Sequence, residues 1–205
     1  MNADRDTIRL EGPGVTIDDV VAVARRHARI ELTGEAIDRM EASRAVVDRL
    51  SVEGDAVYGL STGFGALADV TITPERRQDL QHSLVRSHAA GMGDPIEPEV
   101  VRAMMFLRAR TLALGFSGAR PLVAQAMVDV INAGIVPVVP EYGSLGASGD
   151  LAPLAHAALA LLGEGETFVE GVRRSAAEAL ASAGLEPITL REKEGLAVTN
   201  GTDGI

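Results

Sequence analysis

Four side chains of this sequence combine proton-transfer or hydrogen-bonding chemistry with neighbours that are mostly small: Tyr58, His88, Ser148 and Asn200. A phenol and an imidazole can move protons, a hydroxyl can be attacked or activated, and a primary amide both donates and accepts. Ser148 has the most permissive surroundings. It lies in Gly143-Ser144-Leu145-Gly146-Ala147-Ser148-Gly149-Asp150, where three of eight residues are glycines. Such a backbone folds tightly enough for neighbouring backbone atoms to reach the serine, so the octet suggests backbone chemistry as well as a turn. Read by itself, the same stretch is also an ordinary loop ending in an aspartate that caps a helix.

The elements that must position these residues are mostly helices. Thr7–Leu10 predicts a short strand, stopped by Glu11-Gly12-Pro13-Gly14. Thr16 then caps a helix with Asp18 and Asp19 in its positive first turn and Val20, Val23, Ala24 and His27 at helical spacing. A second helix starts after Thr33 or Gly34, buries Ile37, Met40, Val46, Val47 and Leu50, and ends at Gly54. The glycine-rich segment from Val57 to Leu67, which carries Tyr58, reads as a mobile loop. Its Gly63-x-Gly65 spacing is not a dinucleotide fingerprint, because the next helix starts at Pro74 rather than at Gly65.

Thr73-Pro74-Glu75 opens a helix in which Leu80, Leu84 and His88 recur every four residues on one face. Further helices start at Pro98, with Val101, Met104, Met105 and Leu112 inward, and near Pro121, with Val123, Met127, Val128 and Val130 inward. Residues 136–140 form an extended connector set by two prolines and deliver the chain to the octet. After Asp150 a helix buries Leu154, Leu161 and Leu162, with His156 as a structural residue. A small hairpin or decorated loop over 167–174 and a short helix over 176–183 precede the final segment.

Composition narrows the function classes. A net charge of −10 repels a phosphate backbone, and no basic stripe with interleaved aromatics offsets it, so nucleic acid is not an expected partner. Without cysteine there is no disulfide or thiolate metal site, and no metal is expected. No apolar run is long enough to span a bilayer, and Met1–Asp6 lacks the pattern of a signal peptide; a cytoplasmic location is expected. With aromatics at 3% and 46% of the chain hydrophobic, the core must be aliphatic side chains on closely packed helices.

Four segments taken together carry a resemblance. They are Tyr58-Gly59-Leu60-Ser61-Thr62-Gly63-Phe64-Gly65; Ser87-His88-Ala89-Ala90-Gly91; Gly146-Ala147-Ser148-Gly149-Asp150-Leu151-Ala152-Pro153-Leu154-Ala155-His156; and Lys193-Glu194-Gly195-Leu196-Ala197 with Asn200-Gly201-Thr202. In this order they resemble the N-terminal part of the aromatic amino-acid ammonia-lyases and aminomutases, and within that family the histidine ammonia-lyases. The resemblance implies a mainly α fold of the fumarase/aspartase-like kind, with short strands and glycine-rich loops. It implies one N-terminal domain over 1–205, without the family's central helical bundle and C-terminal part.

It also implies a cofactor made from the chain itself. The amide nitrogen of Gly149 would attack the Ala147 carbonyl and water would be lost, including the Ser148 hydroxyl, giving a methylidene-imidazolone (MIO); no diffusible cofactor is implied. The reaction implied is elimination of ammonia from L-histidine to give trans-urocanate, the amine being made a better leaving group by bonding to the methylidene carbon. Tyr58 would serve as an acid/base or substrate-positioning phenol, although a phenol with its ordinary pKa near 10 must be lowered to act as base. Asn200 would bind substrate or the ring. Ser87-His88 would set the substrate, since an imidazole facing an apolar wall leaves its nitrogens unpaired while His88 can supply the hydrogen bond.

Relatives continue well beyond this length, and their later tyrosine, arginine and glutamate, with residues from several subunits of a homotetramer, complete each site. The 205 residues alone are therefore expected to have little or no lyase activity. The alternatives are a noncatalytic fragment acting in folding or assembly and an MIO-dependent lyase or aminomutase for another aromatic amino acid. A serine hydrolase fails on spacing, because Asp150 stands where a nucleophile elbow needs glycine.

Overall fold

A computed structural model of the chain describes residues 7–12, 14–53, 56–144 and 148–204. The first layer is a β-α-β unit: β1 (Thr7–Leu10) pairs in parallel with β2 (Arg29–Leu32), residue 7 opposite 29, and α1 (Ile17–Arg26) joins them. Thr16 and Asp19 form a capping box at the start of α1, and His27 ends it in the left-handed conformation, one residue outside the helix that its spacing predicts. The strand β2 was not expected from sequence. It is only four residues long, and its buried Ile30 and Leu32 alternate with exposed Arg29 and Glu31.

Next, α2 (Gly34–Val52) starts from Thr33, whose hydroxyl accepts the Ala36 N–H. Met40 and Val47 are buried as expected, but Val46 is exposed and Arg44 takes an inward position instead. The expected stop at Gly54 lies outside the described residues. Residues 56–72 then fold back on themselves around a 3-10 turn (Gly65–Leu67): Gly63 N–H bonds Val70 O, Ile72 N–H bonds Ser61 O, and Thr62 bridges Thr71. Leu60, Ser61 and Thr62 are the buried part of this loop, together with Gly59 and Gly63.

At the centre lies α4 (Pro98–Ala113), packed against α1, α2, α5 (Pro121–Asn132) and α6 (Leu151–Leu161). It is buried around most of its circumference, with Val101, Met104, Met105, Phe106, Ala109 and Leu112 inward, so its pattern is broader than one stripe. Fully burying each large apolar side chain stabilises the fold by roughly 1.5–3 kcal/mol. The connector at 135–142 resolves into β4 (Ile135–Pro137) and β5 (Pro140–Tyr142), in two different sheets. One sheet pairs β5 with β3 (Met92–Pro95); in the other, β4 pairs with β6 (Glu166–Val169), which continues as a hairpin into β7 (Val172–Ser175). The helix α7 (Ala176–Ser182) follows directly.

The last element, α8 (Glu194–Thr199), was also not read from sequence and is held by charge. Glu194 is completely buried. Its carboxylate accepts from Arg120 Nε and Nη2, both at 2.7 Å, and from the backbone N–H groups of Arg120 and Arg191. Arg44 Nη1 stands 3.8 Å away, and the same nitrogen donates to Glu192 O. The hydrogen bonds that Arg120 donates to Glu194 raise the Arg120 pKa above its usual value. Removing one member of a buried pair strands the other. Glu194→Ala is therefore expected to lower the unfolding free energy by about 3–5 kcal/mol, seen as an earlier urea midpoint at unchanged slope; a loss below about 1 kcal/mol would show that the cluster does not hold α8.

Candidate active site

Two of the chemistry-bearing segments and the start of α6 meet around one cavity. Its volume is about 700 Å³, and it is lined by Ser87, His88, Met92, Tyr142, Ser144 and Ala152, among others. Ser87 and His88 are there because α3 (Pro74–His88) ends at that point, with its cap at Ala89. At the other end of α3, Thr73 takes the cap position without a side-chain bond to the helix backbone.

Glycines allow the backbones to close in. A Cβ on Gly143 would lie 3.3 Å from the Gly91 Cα and 3.1 Å from the Ala152 Cβ, and one on Gly91 would lie 3.1 Å from His156 Nε2. Gly91 N–H donates to that same Nε2 at 3.1 Å, so His156 on α6 ties the segment after His88 to the helix that follows the octet. A nitrogen that accepts cannot carry the proton, which places the proton of neutral His156 on Nδ1.

His88 is fixed in a similar way. Its Nδ1 lies 2.8 Å from Leu84 O, and the Ser87 hydroxyl donates to the same carbonyl at 2.9 Å. A carbonyl only accepts, so the proton sits on Nδ1, and Nε2 of neutral His88 is left as the acceptor.

Ser148 is half-buried, and Gly149 has φ +90°, a backbone conformation that favours glycine. Ala147, the other neighbour of the serine, lies outside the described residues. Asp150 occupies the cap position of α6, but its side chain makes no capping bond: Oδ2 accepts the Gly204 N–H at 2.6 Å instead. The expected cap is thus a tether between the octet and the end of the Asn200 segment.

Asn200 follows α8, with its backbone oxygen bonded to Arg108 Nη1 at 3.1 Å. The segment also docks on α3, where buried Gln81 Oε1 accepts the Gly195 N–H at 2.9 Å. Tyr58 is not brought to the cavity. It is 50% exposed, its hydroxyl accepts the Gly65 N–H at 3.2 Å, and its ring meets Phe64 edge-on at 6.0 Å, so these contacts stay within its own loop.

Comparison with known proteins identifies the family. The family model for aromatic amino acid lyases matches residues 15–205. The chain belongs to that family. As an aromatic amino acid lyase segment it is 60% identical over 200 residues to the histidine ammonia-lyase of Streptomyces coelicolor, covering 97% of this chain and 39% of that protein. Among solved structures it is similar to the histidine ammonia-lyase of Trypanosoma cruzi, at 40% identity and a TM-score of 0.87, covering 97% of this chain and 38% of the other. It is also similar to the tyrosine aminomutase of Streptomyces globisporus, at 36% identity and a TM-score of 0.90, covering 97% and 37%. The chain thus spans well under half of the relatives it matches.

Among the described residues no helix is long and apolar enough to cross a membrane. Sequence reasoning missed Gln81, Arg108, Glu194 and Asp203 as supports of the site. The signal for two of them was present: Arg108 stands on the apolar face of α4 between Met104 and Leu112, and Gln81 lies among the inward positions of α3.

The His156 contact is sensitive to acid. Burial lowers its pKa from the usual 6.5, so the unfolded chain takes up the proton first as pH falls. Its stabilising contribution is therefore present above about pH 6.5 and is lost progressively below it. Urea unfolding at about pH 7.5 and about pH 5.5 is expected to show this loss in the wild-type chain and a smaller one in His156→Gln; equal losses would remove His156 as the cause.

Proposed function

We propose that this chain is the N-terminal, MIO-bearing segment of a histidine ammonia-lyase, which eliminates ammonia from L-histidine to give trans-urocanate. The observation that carries this reading is the cavity shared by Ser87, His88 and the residues leading into the octet. The chain's own residues fit the self-made group: Gly149 has a conformation suited to glycine next to Ser148, and Asp150 ties the following backbone to Gly204. Once formed from Ala147, Ser148 and Gly149, the group would supply an electrophilic carbon able to activate the substrate amine as a leaving group.

The protein residues then bind and move protons. His88, held through Nδ1–H on Leu84, offers Nε2 to the N–H of the substrate ring. Asn200 offers a neutral amide to the substrate carboxylate or amine. Tyr58 acts as acid/base or positioning phenol once the 56–72 loop turns it toward the bound substrate. The homotetramer of the complete enzyme and a cytoplasmic location belong to the same proposal. Likeness to a tyrosine aminomutase supports a second reading, an MIO enzyme for another aromatic amino acid; Ser87-His88 favours histidine.

Intact mass of the purified 205-residue chain is expected to fall two waters below the encoded value, whereas the unmodified mass would remove the electrophile from the proposal. The same chain alone is expected to leave histidine unchanged, as judged by ultraviolet absorbance of urocanate. In the complete enzyme His88→Leu is expected to lower kcat/KM for histidine about 10–100-fold, the cost of one lost hydrogen bond to a buried ring. An unchanged kcat/KM would remove His88 from substrate recognition.

A further inference from the structure

Arg108 is a cation placed where an apolar residue would be expected. It lies on the central helix α4 with its side chain buried. Its Nε donates to Asp203 Oδ2 at 2.9 Å, its Nη2 pairs with the same oxygen, and its Nη1 donates to Ala197 O and Asn200 O, both at 3.1 Å. Those two carbonyls belong to the end of α8 and the residue after it, where a helix leaves backbone oxygens without partners of its own.

Asp203 Oδ1 also accepts from Thr111 on the same helix, and Asp150 takes the Gly204 N–H. The backbone from Ala197 to Gly204 is therefore held at both ends, with Asn200 between the anchors. A Cβ on Gly201 would overlap the Arg108 guanidinium and the Asp203 carboxylate. Burial works against the charged forms: it lowers the Arg108 pKa and raises that of Asp203, in the second case with help from Asp150. A pair of this kind is weak as a source of stability, so its value lies in the geometry it imposes.

We propose that Arg108 is a positioning residue for the elimination reaction: by gripping Ala197 O, Asn200 O and Asp203 at once, it sets the place of the Asn200 amide relative to the backbone at Ser148 and Gly149. This rests on the lyase reading above. The planar fork explains why arginine stands there. Two carbonyls and a carboxylate at different bearings match several N–H donors fixed in one plane, and the single ammonium of lysine cannot reproduce that spread. Arg108 touches neither substrate nor cofactor in this account; it acts through Asn200.

The test combines two readouts. In the 205-residue chain, Arg108→Lys is expected to speed hydrogen exchange of the 199–204 amides at least about tenfold while Met104 and Met105 stay protected. In the complete enzyme it is expected to lower kcat on histidine at least about tenfold, with the mass signature of the formed electrophile unchanged. The double variant Arg108→Lys with Asn200→Ala is expected to be no slower than Asn200→Ala alone, because the arginine works through that amide.

Unchanged exchange, unchanged kcat, or losses that multiply in the double variant would each overturn the proposal. If Arg108→Lys loses protection throughout α4, Asp203→Asn carries the same comparisons with the arginine in place. A wild-type complete enzyme that forms no urocanate overturns the lyase reading and the proposal together; a competent wild type whose rate is indifferent to Asn200→Ala, or whose variants are additive, overturns the positioning role alone.

Discussion

A helix of six residues cannot persist in water on its own backbone bonds, yet the segment that delivers Asn200 is built on one. What holds it in place is hydrogen bonding to buried charged side chains at both ends. Glu194 at the first position is enclosed by Arg120 and backbone N–H groups, while Arg108 closes the last turn through Ala197 and Asn200 carbonyls. Each clamp joins elements far apart in sequence: Arg120 precedes α5, and Arg108 rides on the central helix. The fold can accept these buried ions because their hydrogen-bonding capacity is largely met, which is the condition under which a desolvated pair is tolerated.

The cavity depends on a second constraint, the absence of side chains where backbones cross. Gly91, Gly143 and Ala152 meet at separations that a larger residue would force apart. His156 then locks the crossing by accepting the Gly91 N–H. One histidine near the site thus serves as architecture, whereas His88, at the helix end, lines the cavity and is the one proposed to meet a ligand. The accepting nitrogen of His156 is used on a backbone N–H, and in the proposed reading that of His88 is used on the substrate ring.

Much of this was legible in the sequence. The proline-led starts of α3, α4 and α5 and the hairpin before α7 follow from local rules, and the structure shows them where those rules put them. The glycine-rich segments identified the family, whose model covers residues 15–205. Short elements whose stability is entirely tertiary were not legible: β2 exists because β1 pairs with it, and α8 because two clamps hold it. Asp150 stands at the cap position expected of it, but its carboxylate is used elsewhere for a related reason. Its position before a helix predicts a cap, but the partner that claims its carboxylate is Gly204, which no local pattern reveals. Val46 failed because the inward face of α2 runs through Met40, Arg44 and Val47, where Arg44 reaches Glu192 and Glu194. Buried charges break the apolar periodicity on which such readings depend.

The proposed preference for histidine rests on hydrogen-bond polarity as well as on shape. With Nδ1–H committed to Leu84, neutral His88 can only accept through Nε2. A substrate ring that brings an N–H satisfies it, and a phenyl ring leaves it unpaired, at a cost of about 1–3 kcal/mol when the site is closed to water. A phenol also carries a donor, so exclusion of tyrosine must come from the distance between the donor and the reacting carbons, which is longer across a phenol than across an imidazole. The anchoring of Asn200 matters for that reason: if the other end of the substrate is held by an amide fixed against the octet backbone, ring length becomes a measured quantity, and a hydrogen bond that tolerates either donor becomes selective for the shorter one.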